Sequence, residues 1–417
     1  MRRAVNPKDV VRLHSGPHTN SSPLGSQQLT TISLDVGREA WWAFLDRVER
    51  ARTQVGCSYQ DAWYRGVTDR SHELVPSLLR LPEEAAQRIR HIDSELESLS
   101  GQWGDLRAER NEANSRCHQA RESGVADPSA DADFKAARAG MKAVRKKQQS
   151  AEDEKRAILA EFRAKCLLRE TLRELESDAF YRYSHRSGGS ARRSSWELLA
   201  EMSHYGGKTR LLDWSESLSV AVFFALREYR GLLDPVWASD RKSQLHLHRV
   251  EVEGAPTVWV LNPYLLSLYA TNGERSSIWD FSFDAELDYY RTFGQGVDKW
   301  PFEFPIPIYP PWRDLRIAAQ RGVFTVQGTN SEPLECQRPG LDLRDKLERL
   351  ELKPKRIVQP VELDLEAAVY GAYHLRRYEG LTQFVLFRDT DSLGRSVRSE
   401  MEEAKLFRMG WPDRPPV

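Results

Sequence analysis

A long polar stretch, residues 83–182, separates two aromatic-rich parts of the chain. Its first half carries apolar residues at alternating spacings of three and four, the a and d positions of a helical seam: Ile89, Ile92, Leu96, Leu99, Trp103 and Leu106. A breaker cluster at 123–133, around Asp127-Pro128, precedes a second helical run. The pattern predicts a long antiparallel helical hairpin with coiled-coil character.

Composition supports a solvated segment of this kind. Charged residues make up 29% of the 417 residues, and the mean hydropathy is -0.60. Lys and Arg total 61, as do Asp and Glu, so no global field draws the chain to nucleic acid or to a membrane. The hairpin could be a solvated spacer, or an arm that docks a protein or nucleic acid through the basic triplet Arg145, Lys146 and Lys147.

The sequence indicates a cytoplasmic protein. No apolar run reaches the ~18 residues that a transmembrane helix needs, and no apolar segment follows Arg2 and Arg3, so we expect no export signal and no membrane partner. The four cysteines lie far apart without a CxxC pair, so neither a disulfide framework nor a zinc site is expected.

Shifts in composition divide the chain into five segments. We expect a flexible arm, a domain in two parts that flank the hairpin, and a tail. The predicted boundaries are 1–28 for the arm, 29–82 and 183–400 for the domain, 83–182 for the hairpin and 401–417 for the tail.

Coarse patterning places elements within that domain. A helix over residues 37–53 is expected to bury an apolar stripe at helical spacing: Trp41, Trp42, Phe44, Leu45 and Val48. Residues 257–263, TVWVLNP, are typical of a buried strand that ends at Asn262-Pro263, and FVLF at 384–387 indicates another strand.

Three short stretches concentrate groups that can do chemistry. Tyr64-Arg65-Gly66 is expected at the end of a strand, where the arginine supplies a fixed bidentate cation and the glycine permits close approach of a ligand. Residues 204–215 bring an imidazole, a phenol, two cations, a carboxylate and hydroxyls next to an apolar helix. The third stretch is QRGVFT at 320–325.

Both a functional and a structural interpretation of these stretches are open. Polar loops on a rigid scaffold are usual binding sites, and gathering polar groups in one place is unfavourable unless they serve a function. Alternatively, Arg210 and Asp213 could form a buried ion pair that holds the turn, and His204 could be a core histidine.

Together the stretches resemble the FRG domain family, which is named for a Phe-Arg-Gly triplet represented here by Tyr64-Arg65-Gly66. The resemblance covers most of residues 37–80 and 195–400 and leaves out the hairpin as an insertion. The other matching blocks are SHYGGKTRLLDWS at 203–215, AVFFA at 221–225, VWVLNP at 258–263, QRGVFT at 320–325, and Gly380 followed by LFRDTDSLGR at 386–395.

The order of these motifs is similar to that of the ADP-ribosyltransferase fold. The resemblance implies an α+β fold, with a small mixed or antiparallel sheet and covering helices, interrupted by the hairpin. It also implies a site for NAD as substrate, with no metal. The implied catalytic residues are Arg65, Thr209, Asp213 and Gln320, and the implied NAD-binding residues are Arg65, Gly66, His204, Tyr205, Arg210 and Ser215.

The resemblance further implies an ADP-ribosyltransferase, of the glycosyltransferase class, that acts as a bacterial toxin or anti-phage defence effector. The acceptor would be nucleic acid or protein, and an antitoxin or chaperone is a possible partner. Gln320 stands where the fold usually has its catalytic carboxylate, so either Asp213 or a glutamate supplies that charge, or catalysis is weak, or the site only binds. The alternatives are a non-catalytic module that senses a nucleotide or partner, and an NAD glycohydrolase.

Overall fold

The computed structural model describes fifteen stretches of the chain, and the predicted arm and tail lie outside them. The described residues are 30–58, 60–82, 86–124, 127–167, 176–187, 194–227, 237–239, 244–247, 254–281, 288–294, 300–311, 313–338, 341–349, 356–389 and 391–394. The chain divides into two compact units, Leu79–Thr171 and the remainder.

The described elements alternate between helices and short strands. The strands are β1 Thr30–Ser33, β2 Trp63–Val67, β3 Leu211–Ser215, β4 Trp237–Ser239, β5 Gln244–Leu247, β6 Thr257–Leu261, β7 Trp279–Asp280, β8 Ile306–Tyr309, β9 Gly322–Val326 and β10 Val358–Glu362. The helices are α1 Leu34–Val55, α2 Ala86–Ser123, α3 Pro128–Cys166, α4 Asp178–Arg186, α5 Ser195–His204, α6 Leu218–Ala225, α7 Pro263–Ala270, α8 Leu315–Ala319, α9 Leu341–Arg349, α10 Leu365–Arg377 and α11 Gln383–Phe387.

The unit Leu79–Thr171 contains the predicted helical hairpin, formed by α2 and α3. Asp127 caps α3 by accepting a hydrogen bond from the backbone nitrogen of Ala130, and Pro128 occupies the first turn, where its missing N–H is not needed. The breaker is therefore shorter than the predicted 123–133, because a proline at this position starts a helix. Ion pairs fix the antiparallel register: Arg88 with Glu154, Asp93 with Lys155 and Arg116 with Asp133.

The hairpin seam is made mostly of small residues on α3. Four buried residues of α3 follow one another at intervals of seven, as in a coiled coil: Ala130, Ala137, Val144 and Ala151. Ile92, Leu99 and Ala113 are buried on α2. This pattern confirms the hairpin that the apolar spacing predicts.

The second unit is an α+β domain built on a seven-stranded mixed sheet. Its strand order is β10-β6-β2-β3-β9-β8-β7, and β1-β5-β4 form a separate three-stranded sheet. Neighbouring strands of the large sheet are antiparallel except for β7 and β8, which are parallel. The predicted α+β class with a mixed sheet is confirmed.

Both faces of the seven-stranded sheet are covered. Alternate residues of β6 enter opposite cores: Val258 and Val260 pack with α1, α6 and α10, whereas Trp259 and Leu261 pack with α7 and α9. On the other half of the sheet, Leu211 of β3 lies in a third core together with residues of α5 and β9. The alternation is that of strands buried on both faces.

Some local predictions are wrong. Residues 384–387 lie in the helix α11, because Thr382 caps it by accepting a hydrogen bond from the backbone nitrogen of Val385. Trp42 is 63% exposed, although the spacing placed it in the buried stripe with Trp41. β2 continues to Val67, so Arg65 lies inside a strand rather than at its end.

Among the helices that the structure describes, none is both long and apolar enough to cross a membrane.

Candidate functional site

The seven-stranded sheet is weakly paired at its centre, between β2 and β3. These two strands share one bridged pair, Tyr64 with Ser215. By contrast, β2 pairs with β6 from Trp63 to Val67, and β3 pairs with β9 along its whole length. Side chains can therefore bridge the two strands where their backbones are not paired. We call this line between β2 and β3 the central seam.

Arg65 and Asp213 meet across the central seam. The Arg65 Nη1 atom donates a 2.5 Å hydrogen bond to the backbone oxygen of Asp213 and lies 3.7 Å from its Oδ2 atom. The Arg65 side chain is 16% exposed, whereas that of Asp213 is 47% exposed. The Arg65 side chain thus takes the place of a backbone hydrogen bond between the two strands. The Asp213 carboxylate that it orients faces solvent.

Gly66 is required by packing within the domain. A Cβ atom on Gly66 would lie 1.7 Å from the backbone oxygen of Ala221 and 2.5 Å from the backbone nitrogen of Ala225. The space that a ligand was predicted to occupy is therefore filled by the backbone of α6. Gly66 sets the distance of this helix from the sheet, as glycine does at close approaches of two backbones.

Ser215 and Gln320 are joined to each other. The Ser215 hydroxyl donates a 2.7 Å hydrogen bond to the backbone oxygen of Gln320 and accepts one from the backbone nitrogen of Ser217. The buried side-chain amide of Gln320 donates to the backbone oxygen of Leu386. Gln320 thus ties the turn before β9 to α11, and its amide nitrogen already has a protein acceptor.

Thr209 and Arg210 lie in the interior. Thr209 is fully buried and its hydroxyl donates to the Ser203 hydroxyl. Arg210 pairs with the fully buried carboxylate of Glu176. That carboxylate accepts hydrogen bonds from the backbone nitrogen and the Nε atom of Arg210. The suggested ion pair between Arg210 and Asp213 is wrong, because each has a different partner.

His204 lies half-buried at the end of α5. Its ring packs edge-on against Phe324 at 5.4 Å, and its Nε2 atom has no hydrogen-bond partner among the described residues. Burial lowers the pKa of His204, with a smaller opposing effect from Asp213. The lowered pKa favours the neutral imidazole, whose Nε2 atom is buried within the protein.

Tyr205 belongs to a second, more exposed group at α8. Its ring is 57% exposed, and its hydroxyl donates a 3.4 Å hydrogen bond to Oδ2 of Asp314. The Arg316 guanidinium lies 5.3 Å from the centre of that ring and 4.5 Å from the centre of the Phe387 ring. Burial lowers the pKa of Arg316, and its Nε atom lacks a hydrogen-bond partner among the described residues.

The FRG domain family model matches residues 135–231, which include SHYGGKTRLLDWS and the α6 block. This chain carries an FRG domain. The match begins within α3, although we expected the hairpin to lie outside the family pattern. No curated protein and no solved structure matches the chain.

The structure separates the predicted site residues into two groups. Arg65 and Asp213 meet at the central seam, and Tyr205 presents its hydroxyl in the group at α8. The others are buried or bonded within the scaffold: Gly66, His204, Thr209, Arg210, Ser215 and Gln320.

Sequence reasoning missed Arg316 and Glu216. Both stand beside a recognised block, Arg316 before QRGVFT and Glu216 after TRLLDWS, but neither has a spacing that indicates a role. Glu216 lies 3.7 Å from Arg321, and Tyr309 hydrogen-bonds its carboxylate. Burial raises the pKa of Glu216.

Among the described residues, no three side chains of His, Cys, Asp or Glu form a group that could hold a metal ion. The groups gathered at the seam are the guanidinium of Arg65 and the carboxylate of Asp213, with the His204 imidazole close enough to feel that carboxylate. Such a set can bind a phosphate, stabilise a developing cation and move a proton.

Proposed function

We propose that the FRG domain binds NAD at the central seam and transfers ADP-ribose to a nucleophile on a protein or nucleic acid. The observation that supports this most is the Arg65–Asp213 contact, in which a largely buried cation orients a half-exposed carboxylate. NAD carries a diphosphate, which a guanidinium binds, and a ribose that becomes cationic when nicotinamide leaves.

The proposed reaction needs few protein groups. The bond between the ribose C1′ and the nicotinamide nitrogen breaks, and its electron pair passes to the nicotinamide ring. A lone pair of the acceptor forms the new bond to C1′, and the acceptor's proton passes to Asp213. The Asp213 carboxylate also stabilises the oxocarbenium-like transition state, because its negative charge is already fixed near the reacting carbon.

The other groups have distinct parts in this proposal. Arg316 supplies a second cation for the diphosphate, and the Tyr205 ring offers a face for the nicotinamide. We assign His204 no contact with the substrate, because its Nε2 atom is buried within the domain. We assign the catalytic charge to Asp213 rather than Glu216, because the Asp213 side chain is 47% exposed whereas that of Glu216 is 18% exposed.

The first test incubates purified protein with NAD labelled on the adenylate and with cell extract. Free nicotinamide and the label on protein and on nucleic acid are followed separately. We expect Arg65→Ala to lower label transfer at least about a hundredfold, the size typical of losing one charge-stabilising group. Arg65→Lys should restore it only in part, because an ammonium lacks the bidentate fork.

Arg50→Ala is the matched control, because Arg50 is a 71% exposed arginine of α1 that pairs only with its neighbour Asp46 among the described residues. Nicotinamide release without label on either pool would indicate an NAD glycohydrolase. NAD binding without release would indicate a sensing module, a reading favoured by the engagement of Gln320 with Leu386. Label transfer unchanged in Arg65→Ala would refute a site at the central seam.

A further inference from the structure

The helices α1 and α10 cross closely enough to form an aromatic cavity on the surface of the domain. A Cβ atom on Gly37 would lie 3.0 Å from Cβ of Tyr370, and one on Gly371 would lie 2.7 Å from Cζ3 of Trp41. The two glycines therefore permit the close crossing. The cavity has a volume of about 200 Å³ and is lined by Arg38, Trp41, Trp42, Tyr370, His374 and Tyr378.

Rings form both the floor and the mouth of this aromatic cavity. Trp41 and Tyr370 are buried, whereas Trp42 and Tyr378 are each 63% exposed. The His374 ring lies between them, 5.6 Å from the centre of Trp41 and 5.2 Å from that of Tyr378. Packing accounts for the two buried rings, but the domain core gains little from large aromatic rings that remain exposed.

The charges at the cavity distinguish between classes of ligand. Arg38 hydrogen-bonds Tyr370 and lies 3.6 Å from Asp35, and the Nε2 atom of His374 lies 3.6 Å from the carboxylate of Glu379. An aromatic cage that binds quaternary ammonium groups has no cation of its own in its wall. Arg38 therefore disfavours a cationic ligand and favours a flat ring that carries an anionic group.

We propose that the aromatic cavity is a second ligand site, which binds the base of a nucleotide, with the phosphate on Arg38. The base stacks on Trp42 and Tyr378, since every nucleobase has a π-face for which an aromatic ring is a suitable partner. The site is separate from the proposed NAD site, because no residue of the central seam lines the cavity. The base comes from a free mononucleotide or from a single-stranded nucleic acid, which share this chemistry.

The test is calorimetric titration of the full chain carrying Arg65→Ala, separately with AMP, with adenosine and with a short single-stranded oligonucleotide. Using that background keeps the outcome independent of the proposed enzymatic function. We expect one AMP per chain. Trp42→Ala and Tyr378→Ala should each weaken binding at least about fivefold, and Arg38→Ala should weaken AMP binding more than adenosine binding.

Tyr181→Ala is the matched control, because Tyr181 is a 61% exposed aromatic residue outside the cavity. Tighter binding of the oligonucleotide than of AMP, with the same sensitivity to Trp42→Ala, identifies nucleic acid as the source of the base. Affinity for both probes that is unchanged in Trp42→Ala and Tyr378→Ala, with unchanged melting temperatures, would overturn the proposal. The proposal would also be overturned if neither AMP nor the oligonucleotide bound the Arg65→Ala chain.

Discussion

At the scale of single residues, two arginines near β3 have opposite uses. Arg210 is buried against a buried glutamate, and the Phe293 ring centre lies 3.3 Å from its guanidinium carbon. Arg65 is partly exposed and orients an exposed carboxylate. Removing one partner of a buried ion pair strongly lowers the stability of the folded protein, because the other charge remains in a low-dielectric interior. In the Arg65–Asp213 pair the carboxylate is instead 47% exposed and faces solvent.

This difference predicts a stability effect at Glu176. Glu176→Gln should lower the free energy of unfolding by about 3–5 kcal/mol, because the Arg210 charge would be left without its counterion. Asp46→Asn, which removes an exposed ion pair with Arg50, should change it by no more than about 1 kcal/mol. Denaturant titration of both variants checks the prediction, and equal losses in the two would contradict it.

At the scale of elements, the sequence predicts helices and strands of regular periodicity better than it predicts where an element begins or ends. The hairpin follows from its apolar spacing, and TVWVLNP forms a buried strand and then α7, because Asn262 caps that helix. The strand predicted at FVLF is wrong because four apolar residues fit a strand or a buried helix equally well. The Thr382 cap decides in favour of the helix. The predicted burial of Trp42 is wrong because the periodicity does not indicate which apolar residue lies at the edge of the stripe.

Two glycines test whether close packing holds α6 in place. Gly66→Ala should leave the domain unfolded or insoluble, because its Cβ would overlap the α6 backbone, which cannot move by rotating a side chain. Gly104→Ala in α2 has nothing within 4 Å of its Cβ and should stabilise the hairpin by about 0.5–1 kcal/mol, since alanine favours helix. Soluble yield and thermal melting report both effects. A soluble Gly66→Ala protein with an unchanged melting temperature would contradict the account.

At the scale of the whole molecule, the candidate site draws on blocks that are distant in sequence. Arg65 and Asp213 are 148 positions apart and are joined by the order of strands in the sheet. The motifs predicted that both matter, but local sequence could not indicate that Arg65 bridges a seam. Nor could it indicate that Glu176 would take Arg210, because that pairing depends on a long-range fold contact.

The same limit explains which predicted site residues are committed to the scaffold. Thr209 and Gln320 carry groups typical of catalysis, yet their hydrogen bonds go to Ser203 and to the backbone of Leu386. Sequence indicates the kind of polar group, whereas the fold determines whether that group faces solvent or another protein atom. Asp213 is the acidic residue of the TRLLDWS motif, and its side chain stays half exposed.

The most direct measurement is therefore the separation of NAD binding from NAD cleavage in Asp213→Asn. Asparagine keeps the size of the side chain and removes its charge. We expect the variant to bind NAD within a few-fold of the wild type by calorimetry, while nicotinamide release falls at least about a hundredfold. Nicotinamide release at the wild-type rate in a folded Asp213→Asn protein would contradict the central claim that this carboxylate performs the chemistry at the seam.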